Sequence, residues 1–306
     1  MRPFSRLLPR SSRALVRPTA SPSSWQPSYK RKQTSAAELQ FGQPLHETHP
    51  HLLRAGELTP GITALEYAQR RDRLAASLPP NSVAIFAAAD VKTRSGAVFY
   101  KFHQDPNFFY LTGFNEPDAL AVIERDGSES AYAFHLYCRP KDTKVEKWEG
   151  TRSGVQAAQD VFNADEAGDI NNALSRLSKL ISTGRTVYTD IPTDAKSRSS
   201  FTKIVFGSST PAADTLGELL QRASVRQLRP YVNELRCTKS DPEIACMGKA
   251  GKASGQAFTE AMGQHFRTER DLDTFLEYRF KSFGCEESAY VPVIAGGKVW
   301  TRLVSL

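Results

Sequence analysis

FHQDPNFFYLTGFNEPDALAVIE (residues 102–124) sets two apolar runs, NFFYL (107–111) and ALAVIE (119–124), among Asp105-Pro106, Gly113 and Asn115-Glu116-Pro117. Those punctuating residues are turn formers. The runs between them are short and apolar, which predicts strands. The same pattern extends outward. SVAIFAAA (82–89) and AVFYKF (97–102) precede the stretch, and AYAFHLY (131–137) follows after Asp126-Gly127. Helical spacing brackets these strands. In TALEYAQRRDRLAASL (63–78), Leu65, Ala68, Leu74, Ala75 and Leu78 recur at helical steps until Pro79-Pro80-Asn81 stops them.

Beyond residue 150 the spacing predicts helices over Val155–Phe162 and over 169–181, with Ile170, Leu174, Leu177 and Ile181 on one face. A strand at 185–191 (RTVYTDI), a strand at Thr202–Phe206, a helix at 214–223 and a strand at 225–229 complete the series. Strands alternating with helices define an α/β layer domain over roughly 62–230. A second domain opens at Asn233-Glu234-Leu235-Arg236. Its first helix, 242–264, carries Pro242 in the first turn with Ser240 or Asp241 as cap, and Ile244, Met247, Ala250, Ala253, Ala257 and Met262 along it. Thr268 to Asp271 reads as a capping box for the next helix, which turns Leu272, Phe275, Leu276, Phe280 and Phe283 inward and ends at Gly284. SAYVPVIAGG (288–297) reads as a strand running into a Gly-Gly turn.

Charge sharpens the picture. The chain has 306 residues and a formal charge of +7. Residues 1–37 hold eight arginines and lysines and no acid, which leaves 32 basic against 33 acidic residues in the body. The basic excess therefore belongs to a leader, and a nucleic-acid-binding face is not implied. That leader is rich in arginine and serine and interleaves Phe4, Leu7, Leu8, Leu15 and Val16 with arginines, the composition of a mitochondrial transit peptide. The competing reading is a disordered basic tail, since Pro3, Pro9 and Pro18 weaken any helix. No apolar run approaches the ~18 residues of a membrane helix, so no membrane-spanning role is expected. Cys138, Cys237, Cys246 and Cys285 form no paired spacing and read as free thiols.

Residues 38–61 form a polar connector with His46, His49 and His51. Their spacing is not that of HExxH. Pro50 also keeps a single helical face from presenting them, so they read as structural. GKAGKASG (248–255) imitates a phosphate loop without matching it, and its small residues suit close helix packing instead.

FHQDPNFFYLTGFNEPDA (102–119) resembles the signature of the N-terminal domain of aminopeptidase P, the Xaa-Pro aminopeptidases of the pita-bread metallopeptidase group. NELRCTKSDPEIACMGKAGKASGQAFTEAM (233–262) resembles that family's entry into its catalytic domain, and 288–297 its first catalytic-domain strand. Residues 48–71 and the leader resemble a mitochondrial subgroup that trims one residue from imported precursors. The resemblance implies a mixed-sheet, ribonuclease-H-like α/β domain followed by the first part of a pita-bread α+β domain. It implies a hydrolase with two manganese ions bridged by hydroxide, acting on peptide N-termini or imported precursors, in the matrix or at the inner membrane. Homo-oligomers are common in the family.

The family's five ligands, two aspartates, a histidine and two glutamates, lie after the Ala-Gly-Gly strand. Here no acid follows Glu287 and no histidine follows His265. The chain is therefore expected to bind no catalytic manganese and to hydrolyse nothing by itself; a truncated gene model, a retained intron or a frameshift would explain the change after Gly297. By motif match, Tyr290 and Phe109 are the substrate-binding candidates. Each has a packing role as its alternative. His103 and His265 read as structural, and Gly113 as a turn residue. The rival to the enzyme reading is a non-catalytic peptide- or protein-binding module of the same architecture.

Overall fold

The computed structural model describes residues 40–96, 98–127, 132–182, 184–191 and 216–296. The leader, the strand expected at Thr202–Phe206 and the end of the Gly-Gly turn lie outside them. A small antiparallel pair, β1 (Glu57–Thr59) and β2 (Ile62–Thr63), leads into α1 (Ala64–Ser77). Then follow β3 (Ser82–Ala87), a hairpin of β4 (Thr93–Ser95) and β5 (Val98–Phe99), and α2 (Pro106–Thr112). β6 (Leu120–Arg125), β7 (Tyr132–Cys138), α3 (Glu146–Glu149), α4 (Gly154–Asp160) and β8 (Glu166–Asp169) come next. The domain closes with α5 (Ala173–Ser182), β9 (Thr186–Thr189), α6 (Leu216–Arg222) and β10 (Ser224–Arg226). Three helices follow, α7 (Arg229–Cys237), α8 (Asp241–Met262) and α9 (Glu269–Ser282).

Six strands form one mixed sheet in the order β10-β9-β3-β6-β7-β8. β3, β6 and β7 run antiparallel, while β9 joins β3, β10 joins β9 and β8 joins β7 in parallel. Alternation along the central strands covers both faces. Val83 and Ile85 of β3 face α5 and α6 in a core with Leu120, Val122, Leu177 and Leu220. Ala84 and Phe86 face the other way, onto Tyr67 and Leu74 of α1 and Phe108 and Leu111 of α2. A sheet so covered on both sides explains why its strands read as continuous apolar runs. Cys138, at the end of β7, is buried, and desolvation pushes its thiol up to about 12 from an ordinary value of 9.0. It therefore stays protonated and unreactive at neutral pH. All four cysteines are free.

Several sequence expectations change. NFFYL (107–111) is helical, because Asp105 caps its start, Pro106 fills its first turn and Gly113 ends it. The strand expected at 225–229 stops at Arg226, and Arg229-Pro230 starts α7 instead. SAYVPVIAGG forms no strand over its described residues, since no neighbouring strand pairs with it there. Leu65 is 67% exposed, and the buried face of α1 is Tyr67, Arg70, Arg71, Leu74 and Ala75. On α8 it is Ala253, Ala257 and Ala261 that are buried, while Ile244, Met247 and Met262 are exposed.

The capping box expected at Thr268 to Asp271 forms, and the expected cap Ser240 belongs to a second one. Ser240 pairs reciprocally with Glu243, and Thr268 with Asp271. α8 and α9 pack through Ala257, Ala261 and Leu276, with Phe266, Phe275, Phe280 and Ile294 against them. Residues 40–61 fold onto the domain through buried Leu45, Leu53 and Leu58. Among the described residues, no helix is long and apolar enough to cross a membrane.

Candidate functional site

The site is built around α2. The Asp105 carboxylate accepts hydrogen bonds from Asn107 N (2.9 Å) and Phe108 N (2.8 Å), two of the amides a helix start leaves unpaired. Gly113 closes the helix at φ +67°, and a Cβ there would lie 2.8 Å from the Tyr67 ring. Only glycine meets both demands. Two buried arginines of α1 take the carbonyls at the C-terminal end of α2. Arg70 Nη1 donates to Tyr110 O (3.1 Å) and Arg71 Nη1 to Leu111 O (3.0 Å). Cations are favourable at that end of the helix dipole. Each guanidinium also lies over a ring, Arg70 at 4.2 Å from Tyr110 and Arg71 at 4.1 Å from Phe134. Burial pulls the Arg71 guanidinium down from its usual range and pushes the Tyr110 phenol up.

Arg70 also joins the sheet domain to α8. Its Nη2 contacts Glu66 Oε1 (2.6 Å) and Glu243 Oε1 (3.3 Å). Glu66 Oε1 accepts the Ser240 hydroxyl as well (2.7 Å), while Glu243 Oε2 accepts Ser240 N (2.9 Å). The capping box of α8 is thus completed by an ion-pair network from α1. α7 is fastened to α2: Arg236 donates to Asn107 Oδ1 (2.5 Å) and Tyr110 OH to Leu235 O (3.2 Å).

Beside α2 lies a cleft of about 480 Å³ with Ala87 to Ala89 on one side and Lys92, Tyr100, Lys101 and His103 among its other walls. Gln104 holds its shape. Its Oε1 accepts from Ala89 N and Asp105 N, both at 2.8 Å, and its Nε2 donates to Phe114 O (3.1 Å) and Glu116 O (2.8 Å). Glu287 bridges Lys101 Nζ (3.0 Å) and His103 Nε2 (3.1 Å), which ties the segment after α9 to the loop that feeds α2. The other end of that segment is held where Gly296 N donates to Glu269 Oε1 (2.6 Å).

The sequence candidates fall around this junction. Phe109 is half-buried on α2, and Tyr290 is 79% exposed on the segment that Glu287 tethers. His103 lines the cleft, and His265 is exposed beyond the end of α8. Sequence reasoning missed Arg70 and Arg71, although they stand three and four residues after Tyr67 and so share its face. It also missed Trp148, which is 89% exposed on α3. Glu116 is a further omission. It is buried, accepts Ser153 N at 2.9 Å, and is pushed upward in pKa by desolvation against the pull of those hydrogen bonds. The described residues do not fit a two-ion manganese centre, because no three His, Cys, Asp or Glu side chains among them converge on a point.

With this geometry in view, the chain matches the family profile "Aminopeptidase P, N-terminal domain" over residues 67–188. The chain belongs to the aminopeptidase P family. It is similar to intermediate cleaving peptidase 55 of Saccharomyces cerevisiae, 44% identical over 263 residues, which cover 85% of this chain and 51% of that protein. It is 31% identical to human Xaa-Pro aminopeptidase 3 over 271 residues, covering 84% of this chain and 52% of that protein. A crystal structure of the yeast peptidase lacking its N-terminal 58 residues superposes with a TM-score of 0.66 at 40% identity, over 79% of this chain and 52% of that one. The Yersinia pestis proline aminopeptidase P II gives 0.64 at 31% identity, over 75% and 52%. The chain spans about half the length of the relatives it matches.

Proposed function

We propose that the chain carries the N-terminal domain and the opening helices of the catalytic domain of a mitochondrial metalloaminopeptidase. The reaction class is release of single N-terminal residues, from peptides of Xaa-Pro type or from imported precursors after their leader is removed. The observation that supports this most is the 44% identity to the yeast peptidase, which runs through 85% of this chain. In this reading residues 1–37 are a transit peptide, 38–61 a connector, 62–230 the N-terminal domain and 231–306 an incomplete pita-bread domain. The plant relative from Arabidopsis thaliana is named as mitochondrial and supports the compartment.

Within this reading Phe109 and Tyr290 contact the substrate, and α2 with the Glu287 tether sets their separation. Paired manganese ions would supply an activated water near neutral pH. Their five ligands are not found among this chain's residues after Glu287. The chain alone is therefore a family member without turnover. Incubated with manganese and peptides bearing proline second, or with a processed precursor N-terminus, it should release no residue above the metal-free blank. Manganese-dependent release would contradict the reading.

The second reading, a peptide-binding module, draws on one observation. Residues 288–296 have no strand partner among the described residues and present Tyr290, Val291 and Val293 at 71–82% exposure. Peptide retention without cleavage in the same incubation would favour it.

A further inference from the structure

His49 and His51 stand outside everything described so far. The sequence argument against them assumed a helix, and the structure presents them from a turn. His49 N bonds to Leu45 O (2.7 Å), and Leu52 N and Leu53 N both bond back to His49 O. This turn brings the two imidazoles to a centroid separation of 5.8 Å with planes 47° apart. Two ring nitrogens bound to one tetrahedral ion at about 2.0–2.1 Å place their ring centroids roughly 5–6 Å apart. The observed spacing lies in that range before any metal is added.

The hydrogen bonding around His49 supplies a second, independent observation. The His49 Nδ1 lies 2.9 Å from Thr48 Oγ1. That hydroxyl donates its single proton to Leu45 O (3.2 Å) and accepts Leu45 N (3.3 Å). The His49 Nδ1 is thus engaged with the hydroxyl, whichever of the two atoms supplies the proton. Nε2 is the ring nitrogen left to meet an ion. Ligand histidines are commonly fixed in this way, by a hydrogen bond from the ring nitrogen that does not touch the metal. Pro50, between the two histidines, narrows the backbone freedom of the turn and so lowers the entropy lost on chelation.

We propose that His49 and His51 form a surface site for a zinc-class divalent cation, with Thr48 as the residue that positions His49. Imidazole nitrogen selects zinc, nickel or copper(II) over manganese or magnesium, which prefer oxygen. No third His, Cys, Asp or Glu joins the pair among the described residues. Water completes the shell on the exposed side of His51. An ion held there staples the turn whose ends, Leu45 and Leu53, are buried in the fold.

The test is calorimetric titration of ZnCl₂ into the tag-free, chelator-stripped 306-residue chain. The chain should show a micromolar site that the His49→Ala/His51→Ala variant lacks. Should the double variant fold poorly, His51→Ala alone removes an exposed ring and must also abolish the site. Thr48→Val should weaken the same site about 10- to 100-fold, and His265→Ala, at an exposed residue beyond the end of α8, should leave it unchanged. Thiols can also take up zinc, so the difference between parent and histidine variants is the reading. Equal zinc uptake by the His51→Ala chain, or no uptake by the parent at millimolar zinc, overturns the proposal.

Discussion

Replacing Arg70 by Met should destabilise the folded chain by about 3–5 kcal/mol, the usual consequence of removing one partner from a buried ion pair. The guanidinium is 2% exposed, and its partners Glu66 and Glu243 are 12% and 20% exposed. Met keeps most of the side-chain volume, so the loss is electrostatic. Two carboxylates are left facing each other around Ser240, and the Tyr110 carbonyl loses a donor. An exposed pair such as Lys281–Glu277, with side chains 55% and 60% exposed, contributes far less, because water screens it. Urea unfolding gives the size of the effect. Amide exchange should locate it, with the first turn of α8 opening faster than the central strands. Arg70→Met combined with Glu66→Gln should recover part of the loss. A change below about 1 kcal/mol would mean that the network does not hold α8 in place.

Phe114→Ala should have an effect of similar size, about 3–5 kcal/mol, through the cavity it leaves. Phe114 is fully buried just after the glycine that ends α2, and its ring meets Phe162 edge-on at 4.9 Å and 79°. The pair joins the turn after α2 to the turn after α4, so the cavity opens between them. Phe114→Leu, which refills much of the space, should cost clearly less. Thermal or urea unfolding of the two variants decides the matter, and equal stability of Phe114→Ala and the parent would contradict the packing described.

The sheet was legible in the sequence because both of its faces are covered. β3, β6 and β7 carry mostly apolar runs, with His135 as the polar member of β7, and their turn signals stand where the strands end. α2 was misread for a related reason. Five residues with three aromatics and no polar alternation look like a buried strand, and periodicity alone cannot separate that from a short helix. The deciding marks were Asp105, Pro106 and Gly113, which the strand reading took as turn chemistry. The segment 288–296 was misread because a strand is defined by its neighbour, and composition carries no record of whether one is present. Arg70 and Arg71 escaped notice because charge is normally outside, and their burial depends on carbonyls forty residues further along the chain. His49 and His51 were judged on helical spacing, whereas a turn decides where their rings meet.

Under the proposed function, this chain has the aminopeptidase P scaffold and no ligand set for paired manganese among its described residues. Equilibrium dialysis of the purified 306-residue chain against manganese, with the bound metal counted per chain, tests it most directly. The expected result is no tightly held manganese. Two stoichiometric ions retained through extensive dialysis would contradict it.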